Sequence, residues 1–317
     1  MFLCVSPNPA IDKRLALPSF APGEVMRAQT AQSFPGGKST HVAMVLRTLG
    51  EAPHWIGPCG GASGSELVEG LAGLGIEAHP SPTHQRTRTN LEIIEDNGRI
   101  TEIREPGAAP SLAELASFES ACKIFFEQGR ETMSAIFSGS LPDDTGPGLY
   151  ARLIGMARDN GCRTFLDTSG APLRLGLAAH PYFVKPNRDE AASLLGEPIN
   201  SLRAAGMAVR KIVSHGARRA ALSLGAEGLL YCAGRTAPVL FAASLALHVR
   251  STVGCGDSAL AGFAKAIASN SPPEETLRLA AACAAANCVA ESPGAARATD
   301  IKNFQAKIRV QTLPSDA

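Results

Sequence analysis

Ser251-Thr-Val-Gly-Cys-Gly-Asp-Ser258 runs into a helical pattern in which Leu260, Phe263, Ala264 and Ile267 fall on one face. Gly254 and Gly256 let the backbone come close to a ligand. The helix that follows offers unpaired amide N–H groups at its positive dipole end. Such a turn is an anion site. Asp257 is out of place in a pure anion site, because a carboxylate repels phosphate. It fits as a base that takes a hydroxyl proton while the amides hold a transferring phosphoryl group. Asp in a first helical turn is also an ordinary cap, and this segment alone supports both readings equally.

A second glycine turn, Gly36-Gly37-Lys38-Ser39-Thr40, opens an earlier helix carrying Val42, Val45, Leu46 and Leu49. It looks like the end of a P-loop but lacks the first glycine, since position 32 is Gln. Glycines and a Lys at a helix start still suit a phosphate or a sugar hydroxyl, and equally suit a plain turn. Short apolar runs at 2–5, 53–56, 135–138, 164–167, 182–185 and 220–224 alternate with such helices. Several are continuous rather than alternating, as in strands covered on both faces. The expectation is an α/β fold with a mostly parallel central sheet flanked by helices. Residues 12–35 and 84–105 break the rhythm. Their polar–apolar alternation at 13–17, 27–33, 89–95 and 99–104, with an Asp96-Asn97-Gly98 turn, predicts a small separate sheet.

Composition narrows the function. The 317 residues are 45% hydrophobic and 19% charged, enough for a sizeable core and too uncharged for disorder. Lys and Arg number 30 against 29 acids, so the basic excess of a nucleic-acid binder is missing. The eight cysteines are scattered without a C-x-x-C pair, which predicts reduced, mostly buried thiols in a cytoplasmic enzyme rather than disulfides or zinc. The opening apolar run stops at Pro7-Asn8-Pro9, too short for a signal-peptide core. The stretch 277–290 is too short for a membrane span and contains Arg278 and Asn287, so a buried Ala-rich helix is expected and no membrane partner.

Gly256-Asp257-Ser258 also hints at a hydrolase with Ser258 as nucleophile, but no His lies downstream to serve as its base. Lys185-Pro-Asn-Arg-Asp-Glu190 and Ser223-Leu-Gly-Ala-Glu-Gly228 each follow a strand, where open α/β sheets place ligands. Asn187 and Glu190 have capping-box spacing, and capping is a sufficient account of Asn187.

Taken in order, Asn8-Pro-Ala-Ile-Asp12, Gly36-Gly-Lys38, Arg86-Thr-Arg-Thr-Asn90, Ser138-Gly-Ser-Leu-Pro142, Asp167-Thr-Ser-Gly170, Lys185-Pro-Asn187, Ser223-Leu-Gly225 and 251–258 resemble the ribokinase-like phosphofructokinase B family, in the branch of 1-phosphofructokinase and tagatose-6-phosphate kinase. The resemblance implies a core of residues 1–11, 36–83 and 106–317, a β-sheet lid of 12–35 and 84–105, ATP with Mg2+ as donor, and a homodimer formed through the lid. It implies Asp257 as catalytic base, with the amides of Gly254, Cys255 and Gly256 as anion hole. Asp12, Gly36, Gly37, Lys38, His41 and Arg88 would bind a sugar phosphate. Lys185, Asn187, Ser223, Gly225, Gly228 and Asn287 would line the nucleotide, with helix packing an equal reading of Asn287, and Glu190 would reach the metal through water. The family usually reads Gly-Gly-Lys-Gly-x-Asn; Ser39 and His41 depart from it. The implied activity is phosphorylation of fructose 1-phosphate, fructose 6-phosphate or tagatose 6-phosphate. A kinase of an unphosphorylated sugar or nucleoside, and a non-catalytic sensor, are the alternatives.

Overall fold

Strand β1 (Phe2–Val5) shows why the sheet reads as continuous apolar runs. Phe2 and Cys4 enter the hydrophobic core on one face, and Leu3 and Val5 enter a second core on the other. The computed structural model describes residues 1–107, 110–142 and 145–314. The remaining strands are β2 (Ala10–Leu17), β3 (Thr30–Gly36), β4 (Pro53–Cys59), β5 (Glu77–Pro82), β6 (Arg88–Glu95), β7 (Ile100–Arg104), β8 (Ser134–Ser138), β9 (Arg163–Asp167), β10 (Phe183–Val184), β11 (Arg219–Ser223), β12 (Gly228–Cys232), β13 (Val239–Ala243) and β14 (Val310–Thr312). The helices are α1 (Lys38–Thr48), α2 (Gly61–Gly73), α3 (Leu112–Gly129), α4 (Leu149–Asp159), α5 (Gly170–Ala178), α6 (Arg188–Leu195), α7 (Leu202–Ser214), α8 (Cys255–Ala268), α9 (Pro273–Cys288) and α10 (Ala298–Lys307).

Ten strands form the large sheet in the order β14-β13-β12-β11-β10-β9-β8-β1-β4-β5. From β11 to β5 every pairing is parallel, and β12 to β14 extend the sheet antiparallel. Four strands form a second sheet, β3-β2-β6-β7. They occupy the two stretches that break the strand–helix rhythm. The Asp96-Asn97-Gly98 turn joins β6 to β7, with Gly98 N–H on Glu95 O at 2.8 Å. The small sheet begins directly after β1, so Asn8 and Pro9 are the passage from one sheet to the other.

The parallel strands β1, β8, β9, β10 and β11 deliver Asn8, Gly139, Asp167, Lys185 and Gly225 at their carboxyl ends. That edge is where an α/β sheet can hold a ligand, because loop amides and side chains converge beyond the last ladder bond. Helices α1 and α8 pack side by side over it, and both begin at glycine turns.

The Ala-rich stretch is α9, buried through Leu277, Ala280, Cys283 and Ala286. Its small side chains let α8 approach so closely that a Cβ on Gly262 would lie 2.7 Å from Ala280 Cα. Gly262→Val is therefore expected to wedge α8 from α9 and cost about 1–3 kcal/mol, the usual range for overpacking. A drop in the urea midpoint at unchanged m-value checks this.

Candidate active site

Asp257 stands in the first turn of α8, after Gly254 at φ 79°. Glycine is required at 254 twice over: the conformation is left-handed, and a Cβ would lie 2.9 Å from Pro293. The Cys255 amide spends its proton on Thr252 O at 3.3 Å. Among the described residues the amides of Gly254, Gly256 and Asp257 meet no protein acceptor, so of the three amides of the expected hole Gly254 and Gly256 are free and Cys255 is not. Asn287 keeps the turn in shape. Its Nδ2 donates to Val253 O at 2.7 Å, and its Oδ1 accepts from Gly294 N–H at 2.8 Å. The side chain is thus committed to the loops on either side of it.

Asp257 is buried and does not stand alone. Its Oδ2 meets His41 Nδ1 at 3.0 Å, and His41 Nε2 meets Asp12 Oδ2 at 3.1 Å. Asp12 Oδ1 in turn accepts from Asn90 Nδ2 at 2.8 Å. Carboxylates accept only, so a ring between two of them donates from both nitrogens and is an imidazolium. Burial alone would depress the His41 pKa, but the hydrogen bonds and charges of Asp12 and Asp257 outweigh it and lift it to about 10. Burial would raise Asp12; His41, Asn90 and Arg88 hold it below its usual value instead. Asp257 Oδ1 has no protein donor among the described residues and remains available to accept a proton.

Glycine at 36 makes room for this chain, since a Cβ there would lie 2.3 Å from Asp12 Cγ. Gly37, at φ 95°, starts α1 against the backbone of Pro9. Ser39 turns away from the site: its hydroxyl shares its one proton between Val5 O at 2.5 Å and Ser138 O at 2.9 Å and accepts from Ser138 N–H, pinning α1 to β1 and β8. One cavity is lined by Asp12, Gly37, Lys38, His41, Arg88 and Asp257 together. The small sheet also contributes Arg14, Asn90 and Arg104, and Asn8 closes the passage between sheets. Arg104 had no distinguishing sequence signal; it is one polar residue in an alternating strand.

Arg88 gives three N–H groups to the carbonyls of Asn8, Pro9 and Glu105 at 3.1–3.4 Å, which leaves two of its five. Its neighbour Arg86 is exposed and paired with Glu105. Lys38 is held above its ordinary pKa, chiefly by Asp167, against burial and with help from Asp257 and Glu190. It therefore sits among the carboxylates of the floor.

Lys185 is buried in an ion pair with Asp167 at 2.8 Å, and its Nζ lies 3.4 Å from where a Gly256 Cβ would be. It thus borders the amide-lined turn. Asn187 and Glu190 form the reciprocal capping box of α6. Burial and the charge of Asp167 raise the Glu190 pKa. Asn187 bridges Ser223 at the end of β11, and Gly225 follows at φ 60°. Gly228 has a packing reason to be glycine, because a Cβ would lie 2.2 Å from Ala242 O on β13. Ser258 is fully buried with an unpartnered hydroxyl, and the imidazole meets Asp257 instead, which removes the serine-hydrolase reading.

All eight cysteines are free, six of them buried. Cys255 and Cys288 place their sulfurs 3.0 Å apart beside the turn. The Cys288 contact and burial hold the Cys255 thiol strongly up, so it keeps its proton.

A buried carboxylate at an amide-lined helix mouth thus faces a polar cavity bordered by the second sheet. Residues 8–301 match the profile described as pfkB family carbohydrate kinase. The 1-phosphofructokinase of Rhodobacter capsulatus is 33% identical over 279 residues, 88% of this chain and 87% of its own. A tagatose-6-phosphate kinase of Staphylococcus epidermidis is 30% identical over 298 residues, 93% and 94% of the two chains. The solved structure of Escherichia coli phosphofructokinase-2 in complex with fructose-6-phosphate superposes with a TM-score of 0.89 at 26% identity, covering 97% and 98%. The chain belongs to the pfkB family of carbohydrate kinases. It has the ribokinase-like fold and is a phosphotransferase with an alcohol acceptor.

The sign of the His41 effect on stability follows from its titration. The folded value of about 10 lies above the ordinary 6.5, so its contribution is complete below 6.5 and is lost as pH rises through 10. The stability gap between wild type and His41→Asn is expected to be widest at pH 6 and to shrink toward pH 10. Urea melts across that range measure it; a gap independent of pH contradicts the imidazolium.

Proposed function

We propose that this protein moves the γ-phosphoryl group of ATP to a ketohexose monophosphate, with fructose 1-phosphate, fructose 6-phosphate or tagatose 6-phosphate as acceptor and a 1,6-bisphosphate as product. The observation that carries the reading is the single cavity shared by Asp257, Asp12, Lys38, Arg88 and Arg104. A proton acceptor and a hydroxyl-binding pair serve the alcohol, while Arg88 and Arg104 suit a phosphate already on the sugar, which a neutral acceptor would not need. Relatives named for phosphorylated ketohexoses support the same reading.

In this proposal Asp12 and Asn90 hold sugar hydroxyls, and Asp257 Oδ1 takes the proton of the attacking one. His41 keeps Asp257 oriented and excludes a second rotamer. The amides of Gly254, Gly256 and Asp257 cradle the phosphoryl group, with Lys38 and Lys185 nearby. Positioning and charge stabilisation are what phosphoryl transfer chiefly asks of a protein. Lys185, Asn187, Ser223 and Gly225 lie along the nucleotide side. Burial and the charge of Asp167 disfavour the ionised form of Glu190, and a nearby Mg2+ would favour it. Glu190 would hold the ion through water, and the ion when bound neutralises phosphate charge. The small sheet acts as a lid that shuts out water. Homodimers through that sheet fit exposed Ile103 on β7 and exposed Val25 in the connection from β2 to β3.

Asp257→Asn is expected to lower kcat about 10²–10⁴-fold with little change in sugar KM, the range of general-base catalysis. Turnover close to wild type in an ADP-release assay refutes the base. Arg104→Ala is expected to raise KM for phosphorylated ketohexoses alone. The same assay over the three sugar phosphates, fructose and adenosine decides the class. Preference for an unphosphorylated acceptor overturns the proposed substrate, and no acceptor-dependent turnover identifies a sensor.

A further inference from the structure

His54, Glu77 and His79 converge at the opposite end of the large sheet from the cavity. His54 is the second residue of β4 and Glu77 the first of β5; the two are paired in register. His79 lies two residues beyond Glu77 and so shares its face. His54 Nδ1 is 3.1 Å from His79 Nε2 and 3.5 Å from Glu77 Oε2, and His79 Nε2 is 3.3 Å from Glu77 Oε1. Phe125 of α3 backs both rings, with centroids 5.8 Å from His54 and 4.7 Å from His79.

One proton between the facing nitrogens makes an N–H···N hydrogen bond, but the accepting ring still turns its lone pair toward a Glu77 oxygen 3.3–3.5 Å away. A cation would take lone pairs from both rings and from the carboxylate at once. The spacing also fits: ligand atoms about 2.0–2.1 Å from a tetrahedral zinc ion stand about 3.3 Å apart along each edge.

We propose that His54, Glu77 and His79 form a binding site for a borderline divalent transition-metal ion of the zinc class. Two imidazoles and one carboxylate are its protein ligands, and water completes the shell. Nitrogen donors select this class over Mg2+, whose preference is all-oxygen coordination. The ion ties the edge strand β5 to β4 beneath α3. The site is separate from the phosphoryl-transfer cavity, so its occupancy is independent of the proposed kinase activity.

CoCl2 added to the full-length protein after EDTA treatment and desalting is the test. The expected result is one Co2+ per chain, visible d–d absorption of a nitrogen- and oxygen-ligated ion without a thiolate charge-transfer band, and a raised thermal midpoint. His79→Ala is expected to weaken binding more than about tenfold while leaving acceptor-dependent ADP release unchanged. Glu77→Gln, at an exposed position, is expected to weaken binding as well and serves if His79→Ala does not fold. Absence of Co2+ binding, equal binding by a folded variant, or a thiolate band assigning the ion to Cys255 and Cys288 overturns the site.

Discussion

A buried positive charge between two carboxylates joins three parts of this chain that are distant in sequence. Asp257 belongs to α8, His41 to α1 and Asp12 to β2, and each is held by the next. Without the ring Asp257 would lose its only hydrogen-bond donor among the described residues and Asp12 would keep Asn90 and Arg88 alone, which is costly to the fold. The ring therefore does more than balance charge. It fixes the distance between the helix mouth and the small sheet, and with it the dimensions of the cavity. An amide at position 41 could donate to one carboxylate, but it would turn an oxygen or an empty space toward the other.

The rest of the floor follows the same logic of compensated charge. Lys185 pairs with Asp167, and Lys38 lies under the influence of Asp167, Asp257 and Glu190. In the proposed reaction, charges already oriented by one another need little rearrangement when phosphate groups arrive, and such preorganisation is a main electrostatic source of catalysis. The glycines serve this arrangement by what they lack: Gly36 leaves space for the Asp12 carboxylate, and Gly254 allows a left-handed turn against Pro293.

The parallel strands were legible because burial on both faces leaves continuous apolar runs, and β1 has the bounds its residues predict. The expected strand at 182–185 shortens to Phe183–Val184: the Lys185 N–H still bonds Leu166 O at 3.0 Å, but Pro186 has no N–H to continue the ladder. Strand β5 escaped notice: Glu77-Ala-His-Pro-Ser-Pro82 has no apolar pattern and is strand by virtue of its pairing with β4. In the site, Asp12, Gly37, Lys38, His41, Arg88 and Asp257 do meet in one cavity. What single residues could not disclose was connection. His41 as a link between two acids, Ser39 as a brace for α1, and Arg14 and Arg104 as further cations of the cavity depend on partners far away in the chain.

The composition of β5 has a consequence for how copies of this chain can meet. Pro80 and Pro82 remove two backbone donors from one margin of the ten-stranded sheet, and the other margin ends in the three residues of β14. Neither margin offers a long row of free donors and acceptors to a neighbouring backbone. Growth of the large sheet from molecule to molecule, the usual path to fibres, is blocked at both ends by covalent chemistry at one and brevity at the other.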